Sequence, residues 1–154
     1  MLGGSRHIEH DVREGSRSLY WVMIDLTLVS LLALAYTNDI FTGYVFIEVC
    51  TIASCGILCA RESGRTLLAS IRYMVFSLVG SGLFLIGVVY LYAVTGQLLF
   101  PQLLETVGQL WQSGAYRPAI TIAVGLISAG LAIKSGLFPF HTWLPEAHSQ
   151  ATGT

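Results

Sequence analysis

The sequence predicts an all-α membrane protein, and three observations carry that prediction. Four apolar stretches reach or approach the ~20 residues that a helix needs to cross a bilayer. Charge is scarce: 11% of the 154 residues are charged and 54% are hydrophobic, with a mean hydropathy of +0.68. Water-soluble domains usually carry about 25% charged residues. The few charges inside the apolar stretches stand singly, as buried functional or structural charges do. A net charge of −1 gives no footprint for nucleic acid.

Residues 1–18 are polar and charged and contain no apolar h-region, so they are expected to be a cytoplasmic segment and not a signal peptide. Residues 19–154 read as one transmembrane domain. Its first span covers about 19–36 and is interrupted by Asp25; its second covers about 40–60 and contains Glu48. Thr37, Asn38 and Asp39 form a tight polar turn between them, which makes the two helices antiparallel neighbours. The third span covers about 67–95, and the fourth runs from about 118 through Lys134 to 148.

Between the third and fourth spans, Leu103, Leu104, Val107, Leu110 and Trp111 fall on one helical face, opposite Gln102, Glu105, Thr106 and Gln109. Pro101 suits the first turn of such a helix. A short interfacial helix at about 100–112 is therefore expected, with a solvated loop as the alternative. The predicted fold is a bundle of four to five transmembrane helices.

The arginines orient the bundle. Arg6, Arg13 and Arg17 precede the first span, and Arg61 and Arg65 lie between the second and third, on the same side of four alternating spans. The opposite side has only Arg117, so the positive-inside rule places the N-terminus in the cytoplasm. Arg72 is close enough to that end to snorkel to it. Cys50, Cys55 and Cys59 share one apolar run with no histidine near them and read as small packing residues. Ser77, Gly80, Ser81 and Gly82 of the third helix, and Gly125, Ala129 and Gly130 of the fourth, allow close helix packing.

Two residues could carry chemistry. Glu48 sits near the middle of its span, where a carboxylate costs several kcal/mol unless it is protonated, paired or facing water. Tyr44, Thr51 and Cys55 share its helical face. The alternative is a protonated glutamic acid that only packs.

Lys134 is the chain's only lysine. A straight helix over 118–150 would be about 48 Å long, against a ~30 Å hydrocarbon core. Gly136 and Pro139 follow the lysine, so a broken helix around 134–139 is expected, and unwound backbone at that depth must line a cavity. The alternative is a lysine that snorkels from a shorter helix ending near Ser135. At ~6 Å and an effective dielectric of 20, Glu48 and Lys134 would attract by about 2.8 kcal/mol. Burial disfavours the ammonium and a nearby carboxylate favours it, so moving the acid away would release the proton. Asp25 lies about 9 Å from the cytoplasmic end of its span, and structural and functional readings stand equal there.

Two stretches resemble a known family. KSGLFPFHTWLPEAHSQ, from Lys134 to Gln150, closely resembles the signature of the proton-channel (antiporter-like) subunits of complex I, the NADH:quinone oxidoreductase. Mrp-type Na⁺/H⁺ antiporters and energy-converting membrane hydrogenases share that signature. TNDIFTGYVFIE, from Thr37 to Glu48, resembles the segment that carries their essential glutamate. The resemblance implies that Glu48 is the modulating glutamate of the fifth transmembrane helix and Lys134 the proton-carrying lysine of the broken seventh. It places His141 and His148 within the signature, lining the path or bracing the broken helix, with a solvent-facing or capping role as the alternative.

Family members have two inverted repeats, and four or five helices cover only part of the first. A fragment or a split subunit is therefore expected. The implied partners are the missing helices, other membrane subunits, the lipid bilayer, and H⁺ or Na⁺, with driving energy delivered by partner subunits. No nucleotide loop, metal cluster, haem motif or nucleophile triad is visible, so no cofactor or redox centre is expected on this chain. The rival readings are a sodium-moving Mrp or hydrogenase module and a non-conducting scaffold.

Overall fold

The computed structural model describes residues 17–59 and 64–137, which form five helices. These are α1 (Arg17–Tyr36), α2 (Ile40–Cys59), α3 (Gly64–Thr95), α4 (Phe100–Ser113) and α5 (Arg117–Lys134). α1, α2, α5 and Leu67–Thr95 of α3 are each long and apolar enough to cross a membrane. The chain is an integral membrane protein with an all-α fold. The expected short helix at about 100–112 is α4, and α5 stops at Lys134. The part of the expected fourth span beyond residue 137 lies outside the described residues.

Local chemistry sets the helix ends. Asp39 caps α2: its Oδ1 accepts the Thr42 amide at 2.6 Å, and its carbonyl accepts the Gly43 amide at 2.9 Å. α3 ends where Gly96 turns left-handed, at φ 69°, and donates its amide to the Tyr92 carbonyl at 2.7 Å.

The two connections then bind one another. Ile40 donates to the Leu98 carbonyl at 3.0 Å, and Phe100 donates to the Asn38 carbonyl at 3.1 Å, around an antiparallel Asp39–Leu99 bridge. The end of α1, both ends of the first turn, the end of α3 and the start of α4 therefore share one end of the bundle. That arrangement is what alternating spans require.

α3 is the central helix. It packs most extensively on α5 and also on α2, while α1 flanks α2. At 32 residues it is about 48 Å long and overreaches the ~30 Å hydrocarbon core. Small residues permit the close α3–α5 contact. A Cβ at Gly130 would stand 2.6 Å from the Gly80 carbonyl oxygen, and one at Gly87 would stand 2.8 Å from that of Ala123. Neither backbone can yield, so both positions need glycine. Gly82 and Gly125 differ from the sequence expectation, because a Cβ at either would meet nothing within 4 Å. The two are helix-face neighbours of the contact and not part of it. On the other flank, Tyr20 is buried against Ile24 and Ile57, and Cys55 is buried with its Sγ 3.9 Å from the Ser70 carbonyl.

α4 is amphipathic as expected, but only half of its apolar face is packed. Leu103 and Val107 pack with Leu91, Ala123, Ile40 and Ile127, whereas Leu104 and Trp111 are exposed. Arg117 donates Nε to the Trp111 carbonyl at 2.9 Å and lies 5.6 Å from the Trp111 ring centroid. A cation at the negative end of the helix dipole and over an indole face holds the α4–α5 corner.

Candidate functional site

The two isolated charges meet. Lys134 Nζ lies 2.8 Å from Glu48 Oε2, bridging α5 and α2 across 86 residues of sequence. The Lys134 side chain is 10% exposed and that of Glu48 is 26% exposed. At this separation and an effective dielectric of 20 the attraction is about 6 kcal/mol before desolvation, twice what a ~6 Å separation would yield.

Secondary structure delivers both groups. Lys134 is the last residue of α5, and the chain behind it is turned by a double closure: Gly136 donates to Ile133 at 3.2 Å and Leu137 donates to Ala132 at 3.0 Å. Gly136 takes φ 63°, which glycine adopts at little cost. The described helix ends at Lys134, inside the stretch 134–139 where a break is expected; Pro139 and the chain beyond residue 137 lie outside the described residues. A helix C-terminus carries partial negative charge, so α5 itself favours the ammonium. Helical side chains lean towards their own N-terminus, which sends Lys134 back along α5 into the bundle and not out past its end. This is the opposite of the snorkelling alternative.

Two hydroxyls complete the shell. Lys134 Nζ also donates to Thr51 Oγ1 at 3.1 Å, while Thr51 donates to the Ile47 carbonyl at 2.9 Å. From α3, Ser81 Oγ stands 2.5 Å from Glu48 Oε2 and 2.8 Å from the Ser77 carbonyl. The short side chains of α3 make room for the long ones of α2 and α5 to meet in front of it. Tyr73 lies one turn before Ser77 and lines the same cavity as Ser77 and Thr51. Ser81 was legible in the sequence only as a packing residue. The signal was the spacing of Tyr73, Ser77 and Ser81 at i, i+4 and i+8, a polar stripe on an otherwise apolar helix.

A cavity of about 490 Å³ opens beside Lys134, with Thr51, Tyr73, Ser77 and Cys50 on its polar side. It shares Leu34, Ile47 and Leu131 with a smaller cavity of about 270 Å³, whose wall includes Ile40, Phe84 and Phe100. Tyr44 does not join the polar shell by a ring-edge contact; it stacks on Phe84, with centroids 5.9 Å apart. Asp25 is exposed on α1 and is not among the residues lining the cavity at Lys134. His141 and His148 lie outside the described residues.

Comparison with known proteins identifies the family. Residues 37–153 match the family described as NADH:quinone oxidoreductase/Mrp antiporter, transmembrane. The chain is 35% identical over 130 residues to the NADH-quinone oxidoreductase N subunit of Desulforudis audaxviator, covering 84% of this chain and 25% of that protein. It is 35% identical over 132 residues to an Na⁺/H⁺ antiporter subunit of Bacillus subtilis, covering 86% and 26%. Its fold superposes with a TM-score of 0.77 and 29% identity on a chain of the membrane-bound sulfane sulfur reductase, an archaeal respiratory membrane complex, covering 84% and 26%. The chain thus spans about a quarter of the length of the relatives it matches.

Proposed function

This chain belongs to the NADH:quinone oxidoreductase/Mrp antiporter transmembrane family, and from that premise we propose that it supplies a proton-relay portion of an antiporter-like subunit. The observation that carries the reading is the 2.8 Å pair between Lys134 and Glu48, built from two helices and set beside a cavity that Lys134 and Thr51 help to line. Lys134 carries the proton, and Glu48 sets how firmly it is held. The carboxylate at 2.8 Å holds the Lys134 ammonium in place, and the same contact is the path by which the proton can pass between nitrogen and oxygen. Driving energy comes from partner subunits of a multi-subunit complex in a bacterial or archaeal cell membrane.

The similarity to an Na⁺/H⁺ antiporter subunit raises sodium as the cargo. The pair favours the proton: a sodium ion entering this shell must displace the ammonium from Glu48 and Thr51, the oxygens it would need. Vesicles carrying the whole complex should therefore acidify their lumen at the same rate in sodium-free and sodium-containing media. A rate that collapses without sodium would move the assignment to sodium transport.

Orientation gives a second test. The segments around residues 1–18 and 61–65 are assigned to the cytoplasm, and the connection holding α4 to the opposite face. Single cysteines replacing Ser16, Ser63 and Ser113, in a chain lacking Cys50, Cys55 and Cys59, should react with an impermeant maleimide accordingly. The first two label from the cytoplasm and the third from outside. Labelling at positions 63 and 113 from one face would contradict four alternating spans.

A further inference from the structure

Ser81 is 2% exposed and its hydroxyl stands between two acceptors, Glu48 Oε2 at 2.5 Å and the Ser77 carbonyl at 2.8 Å. A hydroxyl has one proton and two lone pairs, so it serves one of these acceptors at a time. Buried polar groups that lose a partner are costly, and burial keeps bulk water from replacing one here. A glutamate that changes protonation state therefore needs a neighbour able to donate in one state and accept in the other.

Resting on the relay reading of Glu48 and Lys134, we infer that Ser81 is a positioning residue that keeps the Glu48 carboxyl hydrogen-bonded in both of its protonation states. With Glu48 ionised, Ser81 donates to Oε2, and 2.5 Å is the length of a charge-assisted O–H···O⁻ bond. When a proton passes from Lys134 to Glu48, an N–H bond breaks and an O–H bond forms at Oε2. Ammonium and carboxylate become amine and acid, with no change in total charge. The new O–H donates to Ser81 Oγ, and the Ser81 hydroxyl rotates onto the Ser77 carbonyl already 2.8 Å away. Two torsions turn, the new O–H away from Nζ and the Ser81 hydroxyl onto Ser77, and the heavy atoms stay in place. Thr51 plays the matching part at nitrogen: its own proton is held by the Ile47 carbonyl, which leaves its lone pairs to accept from Lys134 as ammonium or amine.

The test uses the assembled complex in membranes. The acid-minus-alkaline infrared difference spectrum contains the carboxyl C=O stretch of Glu48, identified as the band that Glu48→Gln removes. In the protonated acid the O–H donates to Ser81 Oγ, and that hydrogen bond lowers the frequency. Ser81→Ala should therefore raise it and slow proton translocation roughly tenfold at an unchanged level of complex, the scale of one lost bond to a charged group. Ser81→Thr keeps the hydroxyl and should restore both band and rate. A Glu48 band that does not move in Ser81→Ala overturns the inference whatever the rate does, because a slower rate alone is then a packing effect. If Glu48→Gln translocates at the wild-type rate, the relay reading itself has failed, and a transport role for Ser81 falls with it.

Discussion

Glu48→Gln is expected to leave the complex assembled and to lower proton translocation by roughly a hundredfold, the lower range for loss of a positioned acid–base group. Glutamine keeps the length of the side chain, and its carbonyl oxygen can still accept from Ser81. What it loses is the charge opposite Lys134, now 2.8 Å from a neutral group. A buried ammonium without its partner is costly, by about 3–5 kcal/mol where such pairs have been broken. Lys134 keeps Thr51 Oγ1 as an acceptor at 3.1 Å, so the fold is expected to survive while the relay has lost its acid. Glu48→Asp withdraws the carboxylate by about 1.5 Å, one C–C bond. The direct contact opens while the charge remains, and partial activity should persist. Proton uptake by vesicles, normalised to the amount of complex, distinguishes the cases. Wild-type pumping by Glu48→Gln would reduce the carboxyl to a packing group.

The reason these two charges were legible in the sequence is energetic. A lone carboxylate or ammonium in an apolar helix is so unfavourable that its presence alone marks a partner or a cavity. One helix end was legible for a related reason, because Gly136 adopts a left-handed φ that other residues avoid; Gly96 and Gly114 do the same at the ends of α3 and α4. Neutral hydroxyls give no such signal. Ser81 in an apolar helix satisfies itself on the carbonyl one turn back, as Thr27, Ser54 and Thr95 also do. Only the register of α2 against α3 separates Ser81 from them, and that register is a tertiary fact. The same limit applies to the glycines: small size named Gly80, Gly82 and Gly130, but it could not tell that Gly82 faces open space or that Gly87 is pressed on α5. Asp25 shows the converse. Its charge is conspicuous, yet it stands on an exposed face of α1, where the membrane-water boundary or other chains decide its surroundings.

Lys134→Met and Lys134→Arg together give the sharpest result, because they part the two roles that a buried lysine can have. A proton carrier has to hold a proton and also let it go. A lysine in a desolvated site does both, whereas a guanidinium stays charged at every accessible pH. Methionine matches the lysine stem in length and flexibility, fills the passage beside Leu131 and Thr51, and removes an expensive buried charge. Glu48 is not orphaned by this change, since it can take up a proton and stay bonded to Ser81, 2.5 Å away. Lys134→Met should thus assemble normally and translocate at least roughly a hundredfold more slowly. Arginine keeps the positive charge at the C-terminus of α5, can bond both Glu48 and Thr51, and should also assemble, yet it cannot pass its proton on. A structural salt bridge predicts the reverse pattern, with arginine rescuing and methionine depleting the complex. The measurement is the rate of proton uptake in vesicles reconstituted with equal amounts of each assembled variant. Full pumping by Lys134→Arg would leave the 2.8 Å pair as an electrostatic fixture and take the relay away from this site.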